Sequence, residues 1–479
     1  EGENLEVLKV LYRSYFGRVK MIYIDPPYNT GNDFIYPDDF ADPLHHYLRI
    51  TGQKNGDGDY TTSQVDRNGR IHSAWLSMMY PRLAVARQLL RDDEVIFVSC
   101  DDHEFGNLRT LMNEIFGEEN FLATIIWQKV FSPKNTARHF SDDHDYILTY
   151  ARNAEVWLPQ LLPRSEEATS RYTNLDSDPR GDWSSSDLTA RNYYSEGLYE
   201  VESPTGKKFK PTIGTYWRVK KSKFEQLDKD GRIWWGEDKS NMPRLKRFVS
   251  EVKAGVVPQT LWFHKDVGHT QDAKKQLIES VAYQNTENVL NSVKPTKLIR
   301  RMLQIATVAD AENIVLDFFA GSNTTTQAVI EQNQEDAGNR RVVTMQFPEK
   351  LPVSETNRAT LADVARERTA SALKAANGNG AAGGFRAFNL QSSNTRVWTG
   401  VADKDVATLA TQIEAFADTL VPGWKPENVI WEVALREGYS LTSRIEKISD
   451  TGRQNFWRVT DLDREQSFVI CLDEALTLE

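Results

Sequence analysis

Cysteine is scarce in this chain, with only Cys100 and Cys471 in 479 residues. Two thiols so far apart exclude a disulfide framework and a zinc site built on paired cysteines, and they point to a reducing compartment, the cytoplasm. No apolar run approaches the roughly 18 residues that a membrane helix needs, so no membrane partner is expected. An initiating Met and a basic, apolar leader are also missing, and Glu1 to Leu8 read as the start of a trimmed chain rather than as a targeting signal. No G-x-x-x-x-G-K-[ST] loop occurs; Thr205-Gly206-Lys207 lacks both the preceding glycine and a strand, which leaves no visible ATPase. Basic residues number 58 against 68 acidic, and the net charge of -10 excludes a histone-like polycation. His45, His46, His72, His264 and His269 have neither ligand spacing nor a cysteine nearby, so no metal is expected.

What remains is a chain with 40% hydrophobic and 26% charged residues, ordinary for folded protein and long enough for three or four domains. Short apolar runs bounded by turn residues predict buried strands at Lys20 to Asp25, Glu94 to Ser99, Leu122 to Gln128 and Asp145 to Tyr150. Helical spacing of Leu76, Met79, Leu83, Ala86 and Leu90 predicts a helix over Ala74 to Arg91, and a second fits Asp102 to Phe116, capped by Asp101 or Asp102. Strands alternating with helices imply an α/β fold built on a parallel sheet with covered faces.

Between 153 and 290 the texture turns to Trp, Tyr, Gly, Ser and Lys with weak periodicity, as in an inserted domain. The α/β pattern resumes over 291–374, with helices at Thr296 to Thr307 and Thr324 to Gln332 and strands at Asn313 to Phe318 and Arg341 to Phe347. Residues 375–385, around Ala-Ala-Asn-Gly-Asn-Gly-Ala-Ala-Gly-Gly, have linker composition. Residues 386–479, with alternating stretches at Asn455 to Thr460 and Ser467 to Leu472, suggest a small α+β domain.

Two constellations carry chemistry. Asp25-Pro26-Pro27-Tyr28 follows a buried strand directly, so two prolines fix a rigid exit at the carboxyl edge of the sheet, where open α/β sheets bind ligands. A carboxylate, a proline carbonyl and a flat ring there suit a planar group bearing an exocyclic NH2. The alternative is a plain strand-to-loop turn with a solvated Asp. The second constellation, Asp317-Phe318-Phe319-Ala320-Gly321-Ser322-Asn323-Thr324, joins a buried strand to a helix start by a small-residue turn, whose free N–H groups and close approach suit a nucleotide. Taken alone it reads equally well as an ordinary capped turn.

Together the two motifs resemble the catalytic tetrad and cofactor loop of S-adenosylmethionine-dependent amino-methyltransferases acting on DNA. The tetrad precedes the cofactor loop, which resembles the circularly permuted β group of adenine-N6 methyltransferases. The phrases NTGNDFIYPDDF, YTNLDSDPRGDW, GRIWWGEDKSNMPRLKRF, VKPTKLIRRML and GFRAFNLQSSNTRVW resemble the modification (Mod) subunit of type III restriction-modification systems.

The resemblance implies a Rossmann-like class I methyltransferase sheet, circularly permuted, split by a target-recognition insert and followed by a C-terminal α+β domain for dimerisation and partner contact. It implies adenine-N6 methylation of a specific double-stranded DNA site by base flipping, within a homodimer, beside a separate restriction subunit that is an ATPase and nuclease. It makes Asp25 and the Pro26 carbonyl acceptors for the adenine amino group and Tyr28 its stacking partner, with Pro27 completing the tetrad. It places Asp317, Phe319, Gly321, Ser322 and Asn323 on the cofactor loop, Lys294, Pro295 and Thr296 at the methionine end, and Glu3 and Asn4 close to the same cofactor. The family loop usually closes with a second glycine where this chain has Asn323, the non-glycine residue best able to adopt positive φ. Gln346 stands where related enzymes often place an acid on the cofactor ribose.

The insert is the expected DNA reader. Thr205 to Lys253 holds 14 Lys/Arg against 6 Asp/Glu, interleaved with Tyr216, Trp217, Trp234 and Trp235. Lys207, Lys208, Trp234, Trp235, Arg244, Lys246 and Arg247 are the candidate contacts. Two rival readings stand beside methylation: a DNA-binding specificity subunit with little methyl transfer, and a solitary methyltransferase without a nuclease. A Rossmann oxidoreductase fits less well, because no hydride-handling His or Tyr-Lys pair is evident.

Overall fold

A computed structural model describes residues 1–30, 67–253, 255–378, 383–396, 419–448 and 456–473. Residues 31–40 of the first family phrase, and His45 and His46, lie outside the described residues. The chain divides into two compact units, Glu1–Gln160 with Gln259–Glu479, and Leu161–Pro258.

The first unit is built on a seven-stranded sheet. Its early elements are α1 (Asn4–Tyr15), β1 (Val19–Ile24), α2 (Arg67–Leu89), β2 (Leu90–Cys100), α3 (Phe105–Phe116), β3 (Phe121–Gln128) and β4 (His144–Ala151). The insert contributes β5 (Trp183–Asp187), α4 (Lys221–Lys229), β6 (Ile233–Trp234) and β7 (Arg244–Phe248). Beyond it come β8 (Leu261–Trp262), α5 (Thr270–Ser280), α6 (Thr296–Ala306), β9 (Ile314–Asp317), α7 (Thr324–Asp336), β10 (Arg341–Thr344), β11 (Lys350–Glu355), β12 (Arg358–Thr360) and α8 (Leu361–Gly378). The large sheet runs β8-β3-β4-β2-β1-β9-β10.

The central strands are apolar on both sides because helices cover both faces: Met21, Ile22 and Ile24 of β1 and Val95, Ile96 and Val98 of β2 are fully buried. α6 presents Leu298, Ile299, Met302, Leu303 and Ile305 at helical spacing to the same interior. The sheet is mixed rather than parallel throughout. β1 pairs parallel with β2 and β9, but β4 runs antiparallel to both β2 and β3. No helix crosses back between β3 and β4, and a direct connection can only join antiparallel neighbours.

Three boundaries differ from the sequence reading. The insert is Leu161–Pro258, closed at its neck where Leu162 and Val256 exchange backbone hydrogen bonds of 2.9 and 2.8 Å. Residues 259–290 return to the first unit, where Leu261–Trp262 adds an edge strand to β3 and α5 packs Ala273 and Leu277 against Val364 of α8. The proposed linker begins as helix: α8 continues to Gly378 with Ala376 buried, since Ala-Ala-Asn extends a helix readily. α3 starts at Phe105 after an uncapped Glu104, and Asp101 instead accepts from the backbone N–H of His103 at 3.0 Å.

The C-terminal part carries α9 (Pro426–Arg436) and an antiparallel meander of β13 (Arg444–Ile448), β14 (Phe456–Asp461) and β15 (Gln466–Cys471), as α+β patterning predicts. It docks on α1. Ser14 Oγ donates to the Tyr439 carbonyl at 2.7 Å, Tyr15 Oη accepts from Leu441 N–H at 3.1 Å, and Arg18 and Arg341 both pair with Asp463.

Candidate functional site

β1 and β9 are adjacent parallel strands, with Met21 opposite Val315 and Ile22 opposite Leu316. Both end within two residues of that register, so the tetrad after β1 and the turn after β9 leave the same edge side by side. The carboxyl edge is where such sheets hold ligands.

The tetrad is built rigidly. Pro26 is buried, and the Pro27 carbonyl accepts from Trp75 Nε1 at 2.7 Å. No hydrogen bond reaches the Pro26 carbonyl among the described residues, so of the two proline carbonyls it is the one left to a ligand. Asn29 follows in the left-handed region at φ 58, its amide donating to the buried Glu104 carboxylate, which also binds His72 Nδ1 at 2.6 Å and Asn107 at 2.7 Å.

Lys294, its side chain only 5% exposed, places its ammonium 2.7 Å from each oxygen of Asp25. It lies 4.9 Å from the centre of the Tyr28 ring and 5.9 Å from that of Trp127. Lys294, expected at the methionine end of a cofactor, holds its charge beside the tetrad carboxylate.

A second carboxylate, not anticipated from sequence, lies behind the ring. Asp145 on β4 is buried, accepts from Lys129 Nζ at 2.8 Å and faces the Tyr28 hydroxyl at 3.4 Å. Burial pushes the Asp145 carboxyl up, against the pull of Lys294 and Lys129. Burial, with Asp25 and Asp145 nearby, also raises the Tyr28 phenol, which stays neutral. The only sequence signal for Asp145 was an acid interrupting an otherwise buried strand.

The turn after β9 is tight and self-supporting. Asp317 is buried and accepts from Phe319 N–H at 3.0 Å and Thr325 Oγ1 at 2.5 Å; burial lifts its carboxyl to about 7. Gly321 sits at φ 54 with open space where a Cβ would stand, so a ligand can approach the backbone closely. Asn323 takes φ 66 and ψ 39, the left-handed conformation expected of it, and binds Thr369 and Thr326.

Several side chains expected as cofactor contacts also have structural partners around this turn and at the neighbouring helix starts. Gln346 accepts from Gly321 N–H at 2.7 Å and donates to the Phe347 carbonyl at 3.0 Å, which ties its amide to the turn and leaves one N–H of that amide over. Ser322 is buried against Arg368, whose guanidinium also donates to Thr324 and Gln327. Glu3 and Asn4 open α1 rather than following a strand: Glu3 caps the helix and pairs with the buried Arg82, and Asn4 donates to the Phe318 carbonyl at 2.8 Å. Pro295 caps α6, and Thr296 is buried at its first position. Phe319 is buried at the turn. Glu349, three residues past Gln346, is a half-buried acid with its carboxyl raised by burial alone, and sequence reasoning passed over it.

In the insert, Lys246 and Trp235 are interior rather than contact residues. Lys246 is buried between Asp176 and Asp178, and Trp235 packs in an aromatic core with Trp217 and Phe224 while donating to Asp228 at 2.8 Å. Alternation along β7 turns Lys246 and Phe248 inward and Arg247 outward, while Arg244, the first residue of the strand, is exposed. Arg244 pairs with Asp187 at 2.8 Å, and the Arg247 guanidinium donates to Ser186 Oγ at 3.1 Å. Lys207 and Lys208 are exposed, Lys208 beside Glu200, and Trp234 is half-buried on Trp183.

A mixed sheet with a D-P-P-Y exit beside a glycine turn defines a class, and the chain belongs to the DNA methylase family, whose model matches residues 19–340. Within it the chain is 31% identical over 436 residues to the Type III restriction-modification enzyme StyLTI Mod subunit of Salmonella typhimurium, covering 87% of this chain and 64% of that protein. It is 28% identical over 491 residues to the EcoP15I Mod subunit of Escherichia coli, covering 94% and 72%, and 31% identical over 396 residues to the EcoPI Mod subunit of Escherichia phage P1, covering 73% and 57%. The chain thus spans just under two thirds of the first of these relatives.

Proposed function

We propose that this chain methylates adenine N6 in a specific double-stranded DNA sequence, using S-adenosylmethionine, as the modification subunit of a type III restriction-modification system. The observation that carries the reading is the pairing, at one sheet edge, of the Asp25 carboxylate and the unbonded Pro26 carbonyl with the open Gly321 turn. Names of the Mod relatives support it. The donor set fits the cofactor: Lys294 offers a cation for its carboxylate and Gly321 a backbone to lie against.

Adenine N6 is a poor nucleophile because its lone pair is shared with the ring, and inside a duplex it is out of reach, so the base must be flipped at a cost of a few kcal/mol. The two N6 hydrogens point to Asp25 and to the Pro26 carbonyl, which pulls the nitrogen toward sp3 and frees its lone pair. When bound, S-adenosylmethionine supplies an electrophilic methyl group on a sulfonium. Asp25 then stabilises positive charge developing at N6 and stands ready for the released proton, while Tyr28, steadied by Asp145, offers its ring to the base. Most of the acceleration comes from positioning and charge stabilisation.

In this reading Lys207, Lys208, Arg244 and Arg247 of the insert supply phosphate contacts, the C-terminal part serves dimerisation, and cleavage belongs to a separate restriction subunit. The reaction is cytoplasmic. Nucleoside mass spectrometry on unmethylated DNA, with S-adenosylmethionine and either this chain or Asp25→Ala, tests it. N6-methyladenine with the unaltered chain alone is the expected result; N4-methylcytosine overturns the target base, and no methylated base overturns the activity.

A further inference from the structure

β3 runs parallel to β8 and antiparallel to β4, which is antiparallel to β2, the parallel neighbour of β1. β3 therefore ends at the same edge as the tetrad, and the connection after it, residues 129–143, rises from that edge. Its stem is tied down. Lys129 and Val130 N–H both donate to the Asp143 carbonyl, at 2.9 and 3.3 Å, and Lys129 Nζ reaches Asp145, which faces Tyr28. Lys134 N–H donates to Ser141 Oγ at 2.7 Å, and Ala137 N–H to the Lys134 carbonyl at 3.0 Å, so the tip is an ordered turn.

The tip has an unusual surface. Every residue from Phe131 to Phe140 is exposed, with Phe140 at 93%. Phe131 is braced edge-on by His264, ring centres 5.0 Å apart, whereas Phe140 has no ring partner among the described residues. Lys134 and Arg138 lie between the two phenylalanines in sequence and make no ion pair among the described residues. The acids of this connection are spent at the stem, Asp142 on Lys129 and Asp143 on Ser141. A bare aromatic ring flanked by free cations, on a hairpin anchored to a catalytic tetrad, is mismatched to water and matched to a disrupted duplex. A base rotated out of the stack leaves a gap between two unstacked neighbours, which an apolar wedge fills, while the flanking phosphates need cations.

We propose that this hairpin is a DNA-contacting element separate from the insert, in which Phe140 enters the stack at the vacated adenine position and Lys134 and Arg138 hold the adjoining phosphates. The proposal rests on the reading of the chain as a base-flipping DNA methyltransferase and adds to it the element that stabilises the flipped state.

The test uses the full chain and two duplexes carrying its methylated sequence, once methylated plasmid has been sequenced to locate it. One duplex is fully paired; in the other an abasic nucleotide faces the target adenine, so that unstacking is already cheap. Single-turnover methylation by Phe140→Ala should fall about tenfold or more on the paired duplex and stay within about threefold on the abasic one, with Phe140→Trp restoring most of the loss. Lys134→Ala with Arg138→Ala should weaken binding to both duplexes and flatten the salt dependence by about two counterions. Unchanged binding of S-adenosylhomocysteine by calorimetry confirms that the variants fold. Equal loss by Phe140→Ala on both duplexes, none on either, or unchanged binding and salt dependence of the Lys134, Arg138 double variant overturns the proposal. Failure of the unaltered chain to methylate any DNA overturns instead the reading on which it rests.

Discussion

At the residue scale the decisive contact is Lys294 on Asp25. One buried ammonium serves the tetrad carboxylate at 2.7 Å, yet a cofactor arriving at the neighbouring turn brings a carboxylate of its own. Competition for one cation has measurable consequences. Asp25→Asn should tighten S-adenosylhomocysteine several-fold, and Lys294→Met should weaken it about tenfold, the worth of one charge-assisted hydrogen bond. Neither change should affect 5′-methylthioadenosine, which lacks the carboxylate; calorimetric Kd values check all four. Beside Glu94, whose carboxyl burial also lifts to about 7, Asp317 contributes to the pH dependence of stability. Its folded carboxyl, lifted to about 7 by burial, holds a proton more tightly than in the unfolded chain, so folding takes up a proton between about pH 4 and 7 and stability falls as pH rises through that window. Asp317→Asn should flatten this slope in thermal melts at pH 5 and 7.5. The tetrad and the turn are legible by residue type alone, but the partners of Lys294 and the place of Asp145 are not. Those depend on which strands become neighbours, and a sequence does not display that.

At the element scale, legibility followed periodicity. β1, β2, β3 and β4 lie within a few residues of their predicted ranges because buried strands must be apolar along their whole length, and α6 and α7 because one helical face must be. The antiparallel β3–β4 pairing within a mostly parallel sheet follows from the connection, since residues 129–143 carry no helical pattern to cross back. The turn before α7 shows how a departure from family habit is accommodated. Asn323 holds φ 66 where glycine is usual, and two hydrogen bonds, to Thr369 and from Thr326, offset the strain of a left-handed residue. Asn323→Ala should therefore cost about 1–3 kcal/mol, combining left-handed strain with two lost hydrogen bonds, and Asn323→Gly less, since glycine relieves the strain but not the loss. Denaturant midpoints of the two variants would expose the ordering, and a smaller cost for alanine than for glycine would refute it.

At the scale of the whole molecule, composition located the insert but misplaced its ends. Aromatic and basic texture marks Leu161–Pro258 well, whereas residues 259–290 share that texture yet contribute an edge strand and α5 to the first unit. The C-terminal part was legible as a separate stretch, but its docking on α1 was not, because Ser14, Tyr15 and Arg18 find their partners more than 400 residues away. The neck of the insert makes the division testable. Leu162 and Val256 are bridged, so both ends of the insert leave the first unit together, as in a tolerated insertion. Replacing Leu161–Pro258 by a short Gly-Ser linker should leave S-adenosylhomocysteine affinity within about threefold, because the tetrad, Lys294 and the Gly321 turn all belong to the other unit. The same excision removes all of the basic stretch between Thr205 and Lys253, and should lower duplex affinity at about 50 mM salt by a hundredfold or more if several phosphate contacts are lost. What DNA binding survives should depend on Lys134 and Arg138, since the β3–β4 hairpin stays with the first unit; loss of cofactor binding on excision would instead show that the two units fold only together.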